Sequence, residues 1–196
     1  MNNQSYIEET AKGKTVVPLH GHLLTERCLF ITGEINEETA IEFMQAMLFL
    51  QSDKKPIDIY INSCGGEITA GLAIYDMIQG CKNDITIYCV GQASSMAAIL
   101  LASGRKGRRF ILPHSRVMIH EALLKGNVSG SATSISHISE SILETRDIVN
   151  GILAKHTGKS LEEINAATVF DNMMNANEAV DFGICDAVTD SIFNRE

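Results

Sequence analysis

Two adjacent serines, Ser94 and Ser95, stand in GQASSMAAILLASG (residues 91–104), where small residues give way to an apolar run. A buried helix has no need of a serine pair at its start, so a hydroxyl there invites a chemical reading. At a helix N-terminus it lies at the positive end of the dipole, beside N–H groups with no intrahelical partner. A serine so placed can attack a carbonyl carbon, and those N–H groups can stabilise the oxyanion that forms. Gly91, Ala93 and Ala97 leave room for a substrate. The same serine can instead cap the helix. The stretch alone leaves both readings open, and it lacks the G-x-S-x-G pattern of a nucleophile elbow.

A nucleophilic serine needs a base. The six histidines are His20, His22, His114, His120, His137 and His156. His120 closes the apolar run RVMI, where a strand end would present it to a cleft. His137 and His156 fall on a long helical pattern, and His114 follows Pro113 in a turn. His20 and His22, in HGH, have no third ligand at suitable spacing, so they read as a surface loop and no metal site is expected. Position favours His120. In NSCGG (residues 62–66), Gly65 and Gly66 permit close approach and unusual dihedrals. A tight turn explains them, and so does a turn that aims an N–H at a carbonyl oxygen. Nothing in the pattern picks out one carboxylate among the 24 acidic residues.

The elements that must position these groups alternate. RCLFI reads as a strand, followed by a helix that Asn36 caps and that has two early glutamates. PIDIYI, ITIYCV, RRFIL and SRVMI read as further strands. ITAGLAIYDMIQG and the opening stretch read as helices, and a long helix spans residues 131–156. SLEE is a capping box, with Ser160 three residues before Glu163. The chain closes with TVFDNM, a short helix near NEAVDFG, and ICDAV. Such alternation predicts an α/β fold with a largely parallel sheet in one domain over residues 1–196. Sites in such sheets gather where strands end and helices begin, and NSCGG and GQASS are two such junctions.

Composition narrows the function. The net charge is −8 with no basic stripe, which argues against nucleic acid. RKGRR (residues 105–109) reads as a solvated turn that complements a helix C-terminus. The polar N-terminus is not a secretory signal, and no apolar run reaches the ~18 residues of a membrane span. Five widely spaced cysteines fit a reduced, cytoplasmic protein.

INSCGGEITAGLAIYDMI, GQASSMAAILLASGRKGRRFILPHSRVMIHE and NANEAVDFGICD, in this order and spacing, resemble the Clp protease proteolytic subunit (ClpP) family. IEETAKGK and LLTER look like that family's mature N-terminal region, so no cleavable propeptide is expected. The resemblance implies a crotonase-like fold of stacked βαβ units. It also implies a serine endopeptidase with Ser95 as nucleophile, His120 as general base and Asp171 as third member. The backbone N–H groups of Gly66 and Met96 would be the oxyanion donors. It further implies self-assembly into two stacked seven-membered rings around a chamber, with LLKGNVSGSATSIS in the ring-to-ring handle. Unfolded polypeptides would be fed in by a Clp-family AAA+ ATPase. That partner would use the ATP, and the chain itself would hold no cofactor. Two alternatives are a non-catalytic ring subunit paired with an active paralogue, and a crotonase-type acyl-CoA enzyme on the same fold.

The chain departs from the family pattern at identifiable positions. Cys64 stands where proline is usual, and Glu121–Ala122 replaces Gln-Pro after the histidine. Val169 and Phe170 replace an acidic residue and an arginine that help couple the rings. NNQSY replaces an apolar N-terminal stretch, and Asp58 and Gly80 stand where aromatics line the ATPase docking pockets.

Overall fold

The computed structural model describes residues 4–10, 13–124 and 129–192. The chain opens with β1 (Ser5–Thr10), β2 (Gly13–Pro18), α1 (Leu19–Thr25), β3 (Cys28–Ile35) and α2 (Glu37–Leu50). It continues with β4 (Ile57–Gly66), α3 (Ile68–Gly80), β5 (Ile85–Ser94), α4 (Met96–Ala102), β6 (Arg109–Ile111) and β7 (Arg116–Ile119). The last elements are α5 (Ala132–Thr157), α6 (Leu161–Thr168), β8 (Asn172–Met174), α7 (Ala176–Phe182) and β9 (Ala187–Val188). β3, β4, β5, β6 and β9 lie side by side in one parallel array. β7 runs parallel to the end of β5 and pairs antiparallel with β8.

The helix boundaries follow local chemistry. The Asn36 side chain accepts the Thr39 N–H, and Glu37 and Glu38 fill the first turn of α2. Ser160 with Glu163 and Asn175 with Glu178 form complete capping boxes at α6 and α7. The sheet's inner face is built on isoleucine, with Ile31, Ile59, Ile61, Ile87 and Ile111 all fully buried. Every residue of α4 is buried, which suits a helix with no polar side chain.

The opposite face carries an aromatic ladder. Phe30, Tyr60, Tyr88 and Phe110 occupy one register across β3, β4, β5 and β6. Their rings stack with centroids 5.4, 5.3 and 5.6 Å apart. Offset stacking of this kind adds about 0.5–1.5 kcal/mol per pair beyond burial.

Two sequence expectations are corrected. The HGH segment is not a loop but part of α1, where His22 Nδ1 lies 3.1 Å from the Tyr6 hydroxyl. β1 and β2 form a hairpin ahead of it, closed by the Leu19 N–H on the Gln4 carbonyl. RKGRR is not wholly solvated, because Arg109 is only 3% exposed. The Arg109 guanidinium pairs in a fork with Asp186 and donates to the Ala102 and His156 carbonyls. Arg105 and Arg108 pair with Asp84. The expected long helix is α5, and most of its residues are exposed. Only Val149, Asn150 and Leu153 are buried, all near its C-terminal end. The expected handle segment, residues 123–136, falls partly at 125–128, outside the described residues.

His156 faces the Tyr75 hydroxyl at 3.0 Å. Burial, reinforced by the nearby charges of Lys155 and Arg109, pushes its imidazole down to about 4. In the unfolded chain the same group titrates near 6.5. Between those values the unfolded state binds more protons, so stability present above pH ~6.5 is lost as pH falls toward ~4. The denaturation midpoint is expected to drop between pH 7 and pH 5, and to drop less in His156→Gln. Equal drops in urea titrations of the two proteins would remove His156 as the source.

Candidate active site

The site is made by a fork in the sheet. Ile87–Cys89 of β5 pair with Arg109–Ile111 of β6, whereas Gln92–Ser94 pair with Arg116–Met118 of β7. Ser95 follows at once, with φ 56° and ψ −123°, and its N–H donates to the Met118 carbonyl at 2.8 Å. A non-glycine residue at such angles stores strain of the order of 1–3 kcal/mol. The turn is therefore a sharp strand-to-helix junction despite the missing G-x-S-x-G pattern. Ser95 occupies the N-cap position of α4, yet its side chain makes no capping hydrogen bond. The capping alternative left open by the sequence is thus not what Ser95 does, whereas Ser94 is simply buried.

The two glycines of NSCGG have separate packing reasons. A Cβ on Gly65, at φ 86°, would lie 2.5 Å from the Ser94 carbonyl oxygen and 2.8 Å from Ser95 Cβ. A Cβ on Gly66 would collide with the Ile35 carbonyl oxygen. Ser63 steadies this end of β4, accepting the Gly65 N–H and donating to the Gly33 carbonyl. Cys64 is exposed, and its thiol reaches the Gly33 and Gly65 carbonyls at 3.8 Å. β4 nevertheless remains a strand through Gly66, so the cysteine is accommodated.

Ser95, Met96, Gly66, Cys64 and His120 line one cleft of about 210 Å³. The Met96 N–H is the first of α4 and so lacks an intrahelical acceptor. His120 lies just beyond β7, and its Nδ1 is buried without a hydrogen-bond partner. Among the described residues, no other histidine lines this cleft. His22 and His156 bond to tyrosines elsewhere, and His137 pairs with Glu140.

Asp171 stands apart from these groups. β7 and β8 pair Ile119 with Asn172, so one further step in the same antiparallel register sets His120 opposite Asp171. The Asp171 side chain is exposed, however, and among the described residues it bonds neither to His120 nor to any cation. His120 and Asp171 lie just past the last rung, so the pairing brings the two positions near each other while the side chains stay unjoined. Glu34, which sequence reasoning did not find, also lines the cleft, as does Glu121, noted in the sequence only as a departure after the histidine. Glu34 follows an irregularity between Gly33 and Glu34 in the β3–β4 pairing, which has no sequence signal. Among the described residues no group of three or more potential metal-ligating side chains is found.

Ser95→Gly is expected to relieve the strained dihedrals and raise unfolding free energy relative to Ser95→Ala by about 1 kcal/mol. Denaturant titration of the two variants checks this, and equal stabilities would mean that the junction is unstrained.

Two of the sequence blocks that carry the family resemblance, those containing NSCGG and GQASS, meet at this cleft. A family model described as Clp protease matches residues 11–192. A parallel sheet whose strand ends hold Ser95 and His120 agrees with that match, and the chain belongs to the Clp protease family.

Proposed function

We propose that this chain is a serine endopeptidase subunit of the ClpP type that cleaves unfolded polypeptides. The observation that carries this reading is the meeting of Ser95, on a strained strand-to-helix junction, with His120 in one cleft. Ser95 Oγ attacks the scissile carbonyl while His120 takes its proton and returns it to the leaving amine. Acid–base help of this kind contributes roughly 10²–10⁴-fold. The Gly66 and Met96 N–H groups receive the oxyanion, each such donor being worth about 3–4 kcal/mol. Asp171, turned inward across the ladder, accepts a hydrogen bond from the His120 Nδ1–H and fixes the imidazole tautomer without taking the proton. That nitrogen is buried and unpartnered, which is the vacancy such a carboxylate would fill.

The reading extends to assembly. Phe170 is 82% exposed beside the half-exposed Val169, and the first half of α5 has no buried residue. Apolar surface of this kind marks a contact face, and a second ring of the same chain is the proposed partner. Docking to a Clp-type ATPase is expected to be weak or altered, because Asp58 and Gly80 replace usual aromatics and leave the ladder of Phe30, Tyr60, Tyr88 and Phe110 as the apolar surface on that face. ATP is used by that partner. One observation favours a second reading, a non-catalytic ring subunit: the Asp171 carboxylate does not meet His120. No helix among the described residues is long and apolar enough to cross a membrane.

Ser95→Ala is expected to abolish peptide hydrolysis and fluorophosphonate labelling while leaving the oligomer intact, and Ser94→Ala to have a mild effect. Equal loss in both variants would overturn the assignment of the nucleophile. Asp171→Asn is expected to lower turnover by about 10⁴ with the fold unchanged, through the wrong imidazole tautomer. Near-normal turnover would leave Asp171 without a part in the reaction.

A further inference from the structure

The cleft around Ser95 continues into a second hollow of about 450 Å³, the two sharing Gly66, Ile68 and Leu123. The walls of the extension include Ile68, Leu123, Ile138 and Ile142. The charged residues on this path share one sign. Glu34 and Glu121 line the part around Ser95, and Glu67 lines the extension. Among the described lining residues no lysine or arginine occurs, and His120 is the one side chain able to carry positive charge.

We propose that this cleft selects polypeptide segments with lysine or arginine beside the cleaved bond, and that Glu121 is the specificity-determining residue. The inference rests on the peptidase reading for the meaning of the cleft, and the carboxylates only set what enters it. Apolar walls with an acidic lining suit a side chain with a long aliphatic stem and a cationic head. A purely aliphatic side chain uses the walls alone, and an acidic one meets like charge. Glu121 follows His120 directly, and its N–H is tied to the Thr168 carbonyl at 2.7 Å, which fixes its backbone beside the proposed base. Its side chain is half-buried, where a charge acts more strongly than in open water. The net charge of −8 adds a long-range attraction for cationic segments.

The test is binding and hydrolysis of one peptide sequence with lysine, norleucine or glutamate at the positions flanking the cleaved bond. Norleucine keeps the stem and lacks the charge. In Ser95→Ala protein, fluorescence anisotropy is expected to show the lysine peptide bound roughly 3- to 10-fold more tightly than the norleucine peptide, with the glutamate peptide weakest. The preference should shrink toward unity in 0.5 M salt. Adding Glu121→Gln should remove most of it, and adding Glu121→Lys should reverse the order of the lysine and glutamate peptides. Equal affinities, or a preference that survives both changes at Glu121, would overturn the inference. In the Ser95-containing protein the same preference is expected in kcat/KM. Should that protein hydrolyse none of the peptides and resist fluorophosphonate, the peptidase reading fails, while the anisotropy series still decides the charge selection.

Discussion

The hydrogen bond from the Ser95 N–H to the Met118 carbonyl, 2.8 Å long, continues the rungs between β5 and β7 past the last strand residue. It holds the chain extended up to the residue at which α4 must begin. Reversal is thereby compressed into Ser95, whose φ of 56° shows where the strain is held. The same bond keeps the end of β7 against the junction, which brings His120 to the cleft. β5 can make it only because it leaves β6 after Cys89 and takes up β7 from Gln92. The fork therefore sets the direction of Ser95, the start of α4 and the place of His120 together.

Close packing supports that junction from below. Gly71 on α3 has no side chain where Met96 packs, and a Cβ there would run into the methionine. Met96 itself is buried, so the N–H it presents at the head of α4 belongs to a residue that cannot shift easily. Gly65 does the same from β4, allowing its backbone against Ser94 and Ser95. The small residues around the serine pair thus do more than leave space for a substrate. They let the ends of β4, β5 and α3 approach closely enough to immobilise the proposed nucleophile and oxyanion donor.

Much of this was legible in the sequence because it rests on local signals. Asn36 and Ser160 announce their helices by capping chemistry, and the predicted helix ITAGLAIYDMIQG coincides with α3. His120 could be singled out because it ends an apolar run. What depends on distant contacts was hidden. Arg109 looked like one cation of a solvated cluster until Asp186, far along the chain, was found beside it. The hairpin of β1 and β2 has antiparallel partners that a pattern of alternating strands and helices does not suggest. Asp171 had no distinguishing pattern among the acidic residues, and its position became meaningful only through the resemblance and then through the β7–β8 register.

That register also explains why the third member can be present yet unjoined. His120 Nδ1 is buried without a partner, a state that costs about 1–3 kcal/mol in general. The segment that could satisfy it, residues 169–171, is exposed, and its most exposed residue is an aromatic. A charged pair in place of Val169 and Phe170 could remain hydrated when uncovered, whereas a phenylalanine gains by being covered. Under the proposed assembly, burial of Phe170 against a second copy would restrict the adjoining Asp171, and the ladder would aim its carboxylate at the vacant imidazole nitrogen. The free energy of apolar burial would then favour the same arrangement as the unmet hydrogen bond. Replacing the usual charged pair with apolar residues would therefore change how contact is linked to chemistry without removing the link.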